Sequence, residues 1–308
     1  SGDIIGGVGS GTHGSGGRVD IVAGGTYGRW GASGGSIFVS SGYSNLGSSG
    51  AVQIYTFNAG RDGSSGAVVM ETGGATSRSS GEIILNTGNA TVGKGGIILL
   101  EVGRAGRGNG GNITLSAGNS TDRKSDGGSI IINAGNGENV KSGGDGGNVS
   151  IVGGFAFGQS ASLSDNGGQV MMTGGGGVSG TGGSVQIKSG FSSKSSSGKI
   201  DIVTPNAGET GQRGKLWLYT GTSSNGNSGE ILMETGFALF GSSANISVFG
   251  GVSGVGGGST ISLQSGQQLS GTGGSIDIRS GRSIETSSGA IELSTTSGGK
   301  EGSSGLTM

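Results

Sequence analysis

The stretch Gly88-Asn-Ala-Thr-Val-Gly93-Lys94-Gly95 comes within one residue of a phosphate-binding loop. Such a loop needs a Ser or Thr after the lysine to hold magnesium and a helix after that. Gly95 stands where the hydroxyl is required, and an alternating aliphatic segment follows in place of a helix. Other groups fit chemistry no better. His13 is the single histidine, so a histidine-based triad or a multi-histidine metal centre would have one member. No cysteine is present, which removes thiolate metal sites, disulfides and a cysteine nucleophile. Asp122, Asp126, Asp145 and Asp165 could offer hard oxygens to calcium. However, Gly143-Gly144-Asp145-Gly146-Gly147 sets its aspartate at a different place from the calcium-binding nonapeptide. The remaining carboxylates are dispersed, with no pair placed as acid and nucleophile. The sequence therefore predicts a chain that is not an enzyme and holds no cofactor or metal.

Composition turns attention from sites to elements. Of 308 residues, 79 are glycine, 30% are hydrophobic and 12% are charged. Glycine loses more backbone entropy on ordering than any other residue, so such a chain is either low-complexity coil or a repeat needing glycine at fixed places. Collagen is excluded by the single proline, Pro205, and by the absence of a three-residue glycine period. A net charge of −1 offers nothing to nucleic acid or an anionic membrane. No apolar run is long enough to predict a membrane span.

Spacing favours the repeat. Short alternating apolar segments begin at Ile4, Val19, Ile37, Val52, Val68, Ile83, Ile98, Ile113, Ile130, Val149, Val170, Val185, Ile200, Leu216, Ile231, Ile246, Ile261, Ile276, Ile291 and Leu306. Thirteen of the 19 intervals are 15 residues, two are 16, and the others are 17, 18, 19 and 21. The unit reads Gly-x-Ile-x-Leu-x-Thr-Gly-x-Ala-x-x-Gly-x-Ser, as at Gly81, Ile83, Leu85, Thr87, Gly88, Ala90 and Gly93. Its Ile-x-Leu-x-Thr core has the period of a half-buried strand. The glycine after Thr, as Gly73, Gly118, Gly221 or Gly281, is expected at a sharp turn of positive φ. The small residue two further on (Ala75, Ala90, Ser120, Ser192, Ser283) is expected to face a thin interior. A glycine five after the turn, such as Gly93, Gly108, Gly180 or Gly241, is expected to close the other corner.

Stacking these coils predicts an all-β fold: a parallel β-solenoid of about twenty 15-residue coils, thin and flattened, without helices. Residues 1–308 read as one continuous array, a segment of a longer repeat protein, since Ser1 begins at a repeat boundary and Leu306 and Met308 lie inside the twentieth segment. The Thr and Ser hydroxyls at the third inward position, from Ser41 and Thr56 to Thr295, are expected to hydrogen-bond along the stack.

Function is expected on the outward column, midway along each segment. Nine of its nineteen residues are apolar, and Val69, Ile84 and Leu99 form a hydrophobic ladder beside Ile97. Ile131 continues it, and a second patch gathers Trp217, Tyr219, Leu232 and Phe249. The eight residues Val69, Ile84, Leu99, Ile131, Trp217, Tyr219, Leu232 and Phe249 form the predicted assembly face, with another copy of the chain as partner. Exposed aromatics, Trp217, Tyr219, Phe38 and Tyr55, suit a polysaccharide as a second partner. The longer loops between Ile113 and Val185 are expected to be tolerated surface growth. Sequons at Asn89, Asn112, Asn119, Asn148 and Asn245 permit glycosylation.

Through lines such as Ser80-Gly-Glu-Ile-Ile-Leu-Asn-Thr-Gly88, the whole chain resembles the Gly/Ser/Thr-rich solenoid repeats of extracellular fibres: algal mastigoneme-like or cell-wall fibres, adhesin stalks and phage fibres. The resemblance implies an extracellular or cell-surface structural filament without catalysis. Ice-binding solenoids are the rival, and they resemble one another in a regular outward threonine array. Here the outward column mixes Asp, Gln, Trp, Leu and Ser, and the threonines fall on the inward side of the alternation.

Overall fold

The computed structural model describes residues 2–11, 15–28, 31–139, 141, 143–158, 165–208, 211–299 and 302–305. Each repeat consists of an aliphatic segment followed by a loop whose two ends meet at a narrow neck. The neck has a fixed composition. The residue four after the first aliphatic of one segment faces the residue two before the first aliphatic of the next. A Cβ added to Gly50 would lie 3.4 Å from Ser41 Cβ, one on Gly96 would lie 2.9 Å from Thr87 Cβ, and one on Gly111 would lie 2.7 Å from Val102 Cγ1. Only glycine tolerates such an approach without displacing its neighbour. One repeat reverses the arrangement: Gly250 takes the first position and Ser259 the second, and a Cβ on Gly250 would strike the Ser259 hydroxyl. Glycine on one side of the neck is thus the rule, whichever side that is, and the repeat that begins at Ile231 departs from it with Thr235 and Ala244 at the two positions.

The facing residue also decides how the neck is closed. Where it is Ala, Ser or Gly, the second glycine's N–H donates to the carbonyl of the glycine just inside the loop. Gly50 N donates to Gly42 O at 2.9 Å, Gly128 N to Gly118 O at 2.9 Å, and Gly198 N to Gly190 O at 2.9 Å. At three of the necks where it is Thr, the hydroxyl takes over: Thr56 Oγ1 donates to Gly66 O at 3.2 Å, Thr72 Oγ1 to Gly81 O at 3.3 Å, and Thr220 Oγ1 to Gly229 O at 3.1 Å. In the reversed neck, Ser259 Oγ donates to Gly251 O at 3.0 Å.

Inside the loop the chain bends, for example over 76–78, 91–93 and 106–108. The glycine five after the turn is where the backbone crosses to positive φ, 115° at Gly93 and 83° at Gly108. Gly180 lies at the same place without that φ, and in the longer loop after Gly118 the left-handed turn is made by Lys124, at φ 63°. The small residue two after the first glycine does not face an interior. When it is Ser it caps the loop: Ser44 Oγ accepts from Gly47 N at 2.8 Å, Ser192 Oγ from Ser195 N at 2.9 Å, and Ser283 Oγ from Thr286 N at 2.9 Å.

Three expectations are corrected by these contacts. Gly73, Gly118, Gly221 and Gly281 have no positive φ; Gly118 and Gly281 serve instead as carbonyl acceptors for Gly128 and Gly289. The hydroxyls of Thr56, Thr72 and Thr220 bond across their own neck, not along a stack. Above all, the all-β solenoid is not formed: the described residues contain no strand and no helix and are coil throughout. Their backbone hydrogen bonds span from three residues, Gly63 to Gly60, up to fourteen, Gly168 to Gly154, and all lie in loops or necks. A solenoid ladder would instead join equivalent positions of successive segments. Among the described residues the backbone hydrogen bonds close loops and necks, and none joins one segment to another.

No hydrophobic residue among those described is buried. The chain exposes 31600 Å², where a folded monomer of its mass would expose about 11,500 Å². Contacts divide it into two units, Ser1–Val152 and Gly153–Met308, with the boundary at the neck of the longest repeat. Because one side chain selects the closure, Thr220→Ala should hand the Gly229 amide to the Gly221 carbonyl and slow its hydrogen exchange about tenfold, the equivalent of one ordinary hydrogen bond. Ser189→Thr should speed exchange at Gly198 by a similar factor. Unchanged rates in both variants, followed by NMR, would show that the neck residue does not choose the bond.

Candidate functional site: the exposed aliphatic columns

Although the segments are coil, they keep a period of two in exposure. Ile83, Ile84 and Leu85 are 55%, 71% and 59% exposed, and Ile130, Ile131 and Ile132 are 54%, 77% and 63% exposed. The first aliphatic of each segment varies only between 49% at Ile200 and 56% at Ile113 across the repeats from Ile37 to Ile291. Constancy of this kind means that every segment meets the same local surroundings, set by the necks on either side. One face of each segment is half-covered and the other open.

The eight predicted assembly residues all lie on the open side, from Leu232 at 69% to Phe249 at 88% exposed. Val69, Ile84, Leu99 and Ile131 belong to the first unit, and Trp217, Tyr219, Leu232 and Phe249 to the second. Within the second unit, Trp217 to Tyr219 and Glu230 to Met233 line a common cleft of about 490 Å³, which brings Trp217, Tyr219 and Leu232 together. Lys215 Nζ sits 5.9 Å from the Trp217 ring, a cation–π distance that holds the indole against its own segment. Among the other aromatics, Tyr55 meets Phe57 edge-on at 5.5 Å and Phe155 meets Phe157 at 4.7 Å. The sequence reading did not single out Lys215 or Phe57. Both stand two residues from a partner on the same face, a spacing that is readable once the alternation is known.

Charge on the open side is balanced within each segment. The three aspartates of the outward column each carry a cation two residues away: Arg18 on Asp20 at 2.6 Å, Lys199 on Asp201 at 2.6 Å, and Arg279 on Asp277. These exposed pairs add little to stability. Their effect is to leave no bare carboxylate at those three places of the column.

The remaining candidates are absorbed into loop structure. Gly88 to Gly95 forms an ordinary loop of the repeat with its bend at Gly93. Asp122 accepts from its neighbour Arg123 N at 2.8 Å and from the Ser125 hydroxyl at 3.1 Å, the pattern of a loop cap. Among the described residues no three acidic or imidazole groups converge as metal ligands, and no helix is long and apolar enough to cross a membrane. His13, Leu306 and Met308 lie outside the described residues. Comparison with family models, curated proteins and solved structures gives no match.

The open placement of Trp217 has an optical consequence. In a Trp30→Phe background, Trp217 emission should be solvent-like in dilute protein and move to the blue as concentration rises and the column is covered. Blue emission at the lowest concentration would mean that the indole is already covered in the single chain.

Proposed function

We propose that this chain is a non-catalytic structural protein that assembles into an extracellular filament or stalk, with other copies of itself as the principal partner. Association runs laterally between copies through the aliphatic columns, not through coils stacked within one chain. One observation carries the reading: the repeat holds a regular local structure while burying no hydrophobic residue among those described. Its surface exceeds that of a folded monomer by roughly 20,000 Å². A specific interface buries about 1,600 Å² in total, so the excess is an order of magnitude more than one partner contact would use. Disordered chains avoid this situation by being poor in aliphatics, whereas here Ile, Val and Leu recur at fixed places in every unit. The three segment-internal ion pairs support association of identical copies, since they remove the like-charge repulsion that stacked aspartates would otherwise create. Assignment to the cell exterior rests on the resemblance to fibre repeats.

Sedimentation velocity and negative-stain microscopy test the reading. The chain should form large species above a threshold concentration, and Ile84→Asp with Leu99→Asp should raise that threshold about tenfold or more by placing unpaired charge in the column. Asn112→Asp, outside the apolar ladder, should leave the threshold within about twofold. A chain that stays monomeric at every concentration, or an Ile84/Leu99 variant that assembles like the parent, would refute the proposal.

A further inference from the structure

All five methionines of the chain lie in aliphatic segments and none lies in a loop. Met70, Met172, Met233 and Met308 stand two residues after the first aliphatic, where most other units place Ile, Leu or Val, and Met171 stands on the outward column. Four of them are among the described residues, and these have the same surroundings as the aliphatics they replace. Met70, Met172 and Met233 are 63%, 67% and 67% exposed, beside 64% at Leu100 and 67% at Leu218, and Met171 equals Ile131 at 77%. Met233 also lines the open depression that holds Trp217 and Tyr219. In most folded proteins methionine fills gaps in the core and is shielded there. Here it fills an aliphatic position and stays open to solutes.

We infer that Met70, Met171, Met172 and Met233 are modification sites through which a peroxide controls association of the chain. The inference rests on the assembly reading above and adds its regulation. Ile, Leu and Val offer a peroxide no lone pair, so within the columns the chemistry falls on the thioethers. The sulfur lone pair attacks one oxygen of hydrogen peroxide. An S–O bond forms as the O–O bond breaks, the sulfur gives up two electrons, and the proton on the transferred oxygen passes to the departing hydroxide, which leaves as water. The product is a sulfoxide, polar and chiral where the unit had an apolar side chain. Its oxygen needs a hydrogen-bond donor once water is excluded, and the Ile, Leu and Val of the columns carry none. Placement gives the reaction its consequence. A loop methionine would oxidise without touching the columns, and a buried one would be out of reach. Met70 belongs to the first unit and the other three to the second, so both units carry the sensitive position. Covering works in the opposite direction, since a methionine packed against another copy is shielded from the peroxide that keeps single chains apart. Reductases for the two sulfoxide epimers return the thioether, which makes the control reversible.

The test uses the full chain and hydrogen peroxide. Peptide mass spectrometry follows the gain of one oxygen at each methionine, and sedimentation velocity follows the association threshold. In dilute chain the four methionines should oxidise within about threefold of the rate of free methionine, and at least about tenfold more slowly once the chain has assembled. Oxidation should raise the threshold about tenfold or more, and reductase treatment should bring it back. A variant carrying Met70→Leu, Met171→Leu, Met172→Leu, Met233→Leu and Met308→Leu should associate within about twofold of the parent threshold and ignore peroxide. Oxidation in dilute chain far slower than that of free methionine would mean that these side chains are already covered in the single chain, and would overturn the inference. Complete oxidation with an unmoved threshold, or a leucine variant that loses association in peroxide as the parent does, would overturn it while leaving the assembly reading intact. An untreated chain that never associates would overturn both.

Discussion

The constraint on which every other feature depends is the contact across the loop neck. Two positions separated by a whole loop approach closely, and in nearly every repeat one of them has no side chain; Thr235 and Ala244 are an exception. Glycine at the second position is the usual solution, as at Gly50, Gly96 and Gly111. The reversed neck at Gly250 and Ser259 shows that the preference for glycine belongs to the pair and not to one position. Everything else in the repeat follows from this closure. It fixes where each segment begins, gives the first aliphatic its constant half-exposure, and frees the loop interior to vary in length. The seven-residue excursion between Gly42 and Gly50 and the longer one between Gly154 and Gly168 close with the same bond, at 2.9 and 2.7 Å. Loop growth costs little as long as the ends still meet.

Much of the repeat was legible in the sequence, and the part that was not has a physical explanation. Period and alternation could be read directly, because each is a local property; positive φ was expected at the glycine directly after Thr, and the backbone reaches it instead at Gly93 and Gly108. The neck could not be read that way, because it couples positions on either side of a loop of variable length. Thr72 looked like the third member of an inward row when its contact is with Gly81. The signal was nevertheless present. Gly250 and Ser259 exchange the residue types that Ser265 and Gly274 have in the next repeat, and such a compensating pair within one chain marks a contact.

Fold class failed for a different reason. An Ile-x-Leu-x-Thr alternation reports that a segment has two unlike faces, and it says nothing about which chain supplies the neighbour. The eight predicted assembly residues and the inward aliphatics are equally consistent with coils stacked on themselves and with copies packed on one another. The hydrogen-bond pattern separates the two: among the described residues the backbone bonds close loops and necks, and none joins one segment to another. Composition already contained a hint in that direction. With 30% hydrophobic residues spread over so many units, no single place in the chain collects enough aliphatic surface to form a core.

A chain of identical repeats would pair with its copy equally well at any shift of one unit, so perfect periodicity would make the register of an assembly degenerate. The irregular intervals break that degeneracy. Between Ile113 and Val170 the spacings are 17, 19 and 21 residues, and shifting one copy by a unit would set loops of unequal length opposite one another at four successive places. The outward column adds a second key, since Trp217 and Tyr219 are followed by Leu232 in the next segment but preceded by Asp201, with its partner Lys199, in the one before. A shift by one unit would bring the indole against that ion pair. The long loops, which look like the least constrained part of the sequence, are on this argument what distinguishes one register from the next, while the regular units supply the surface that makes association favourable at all.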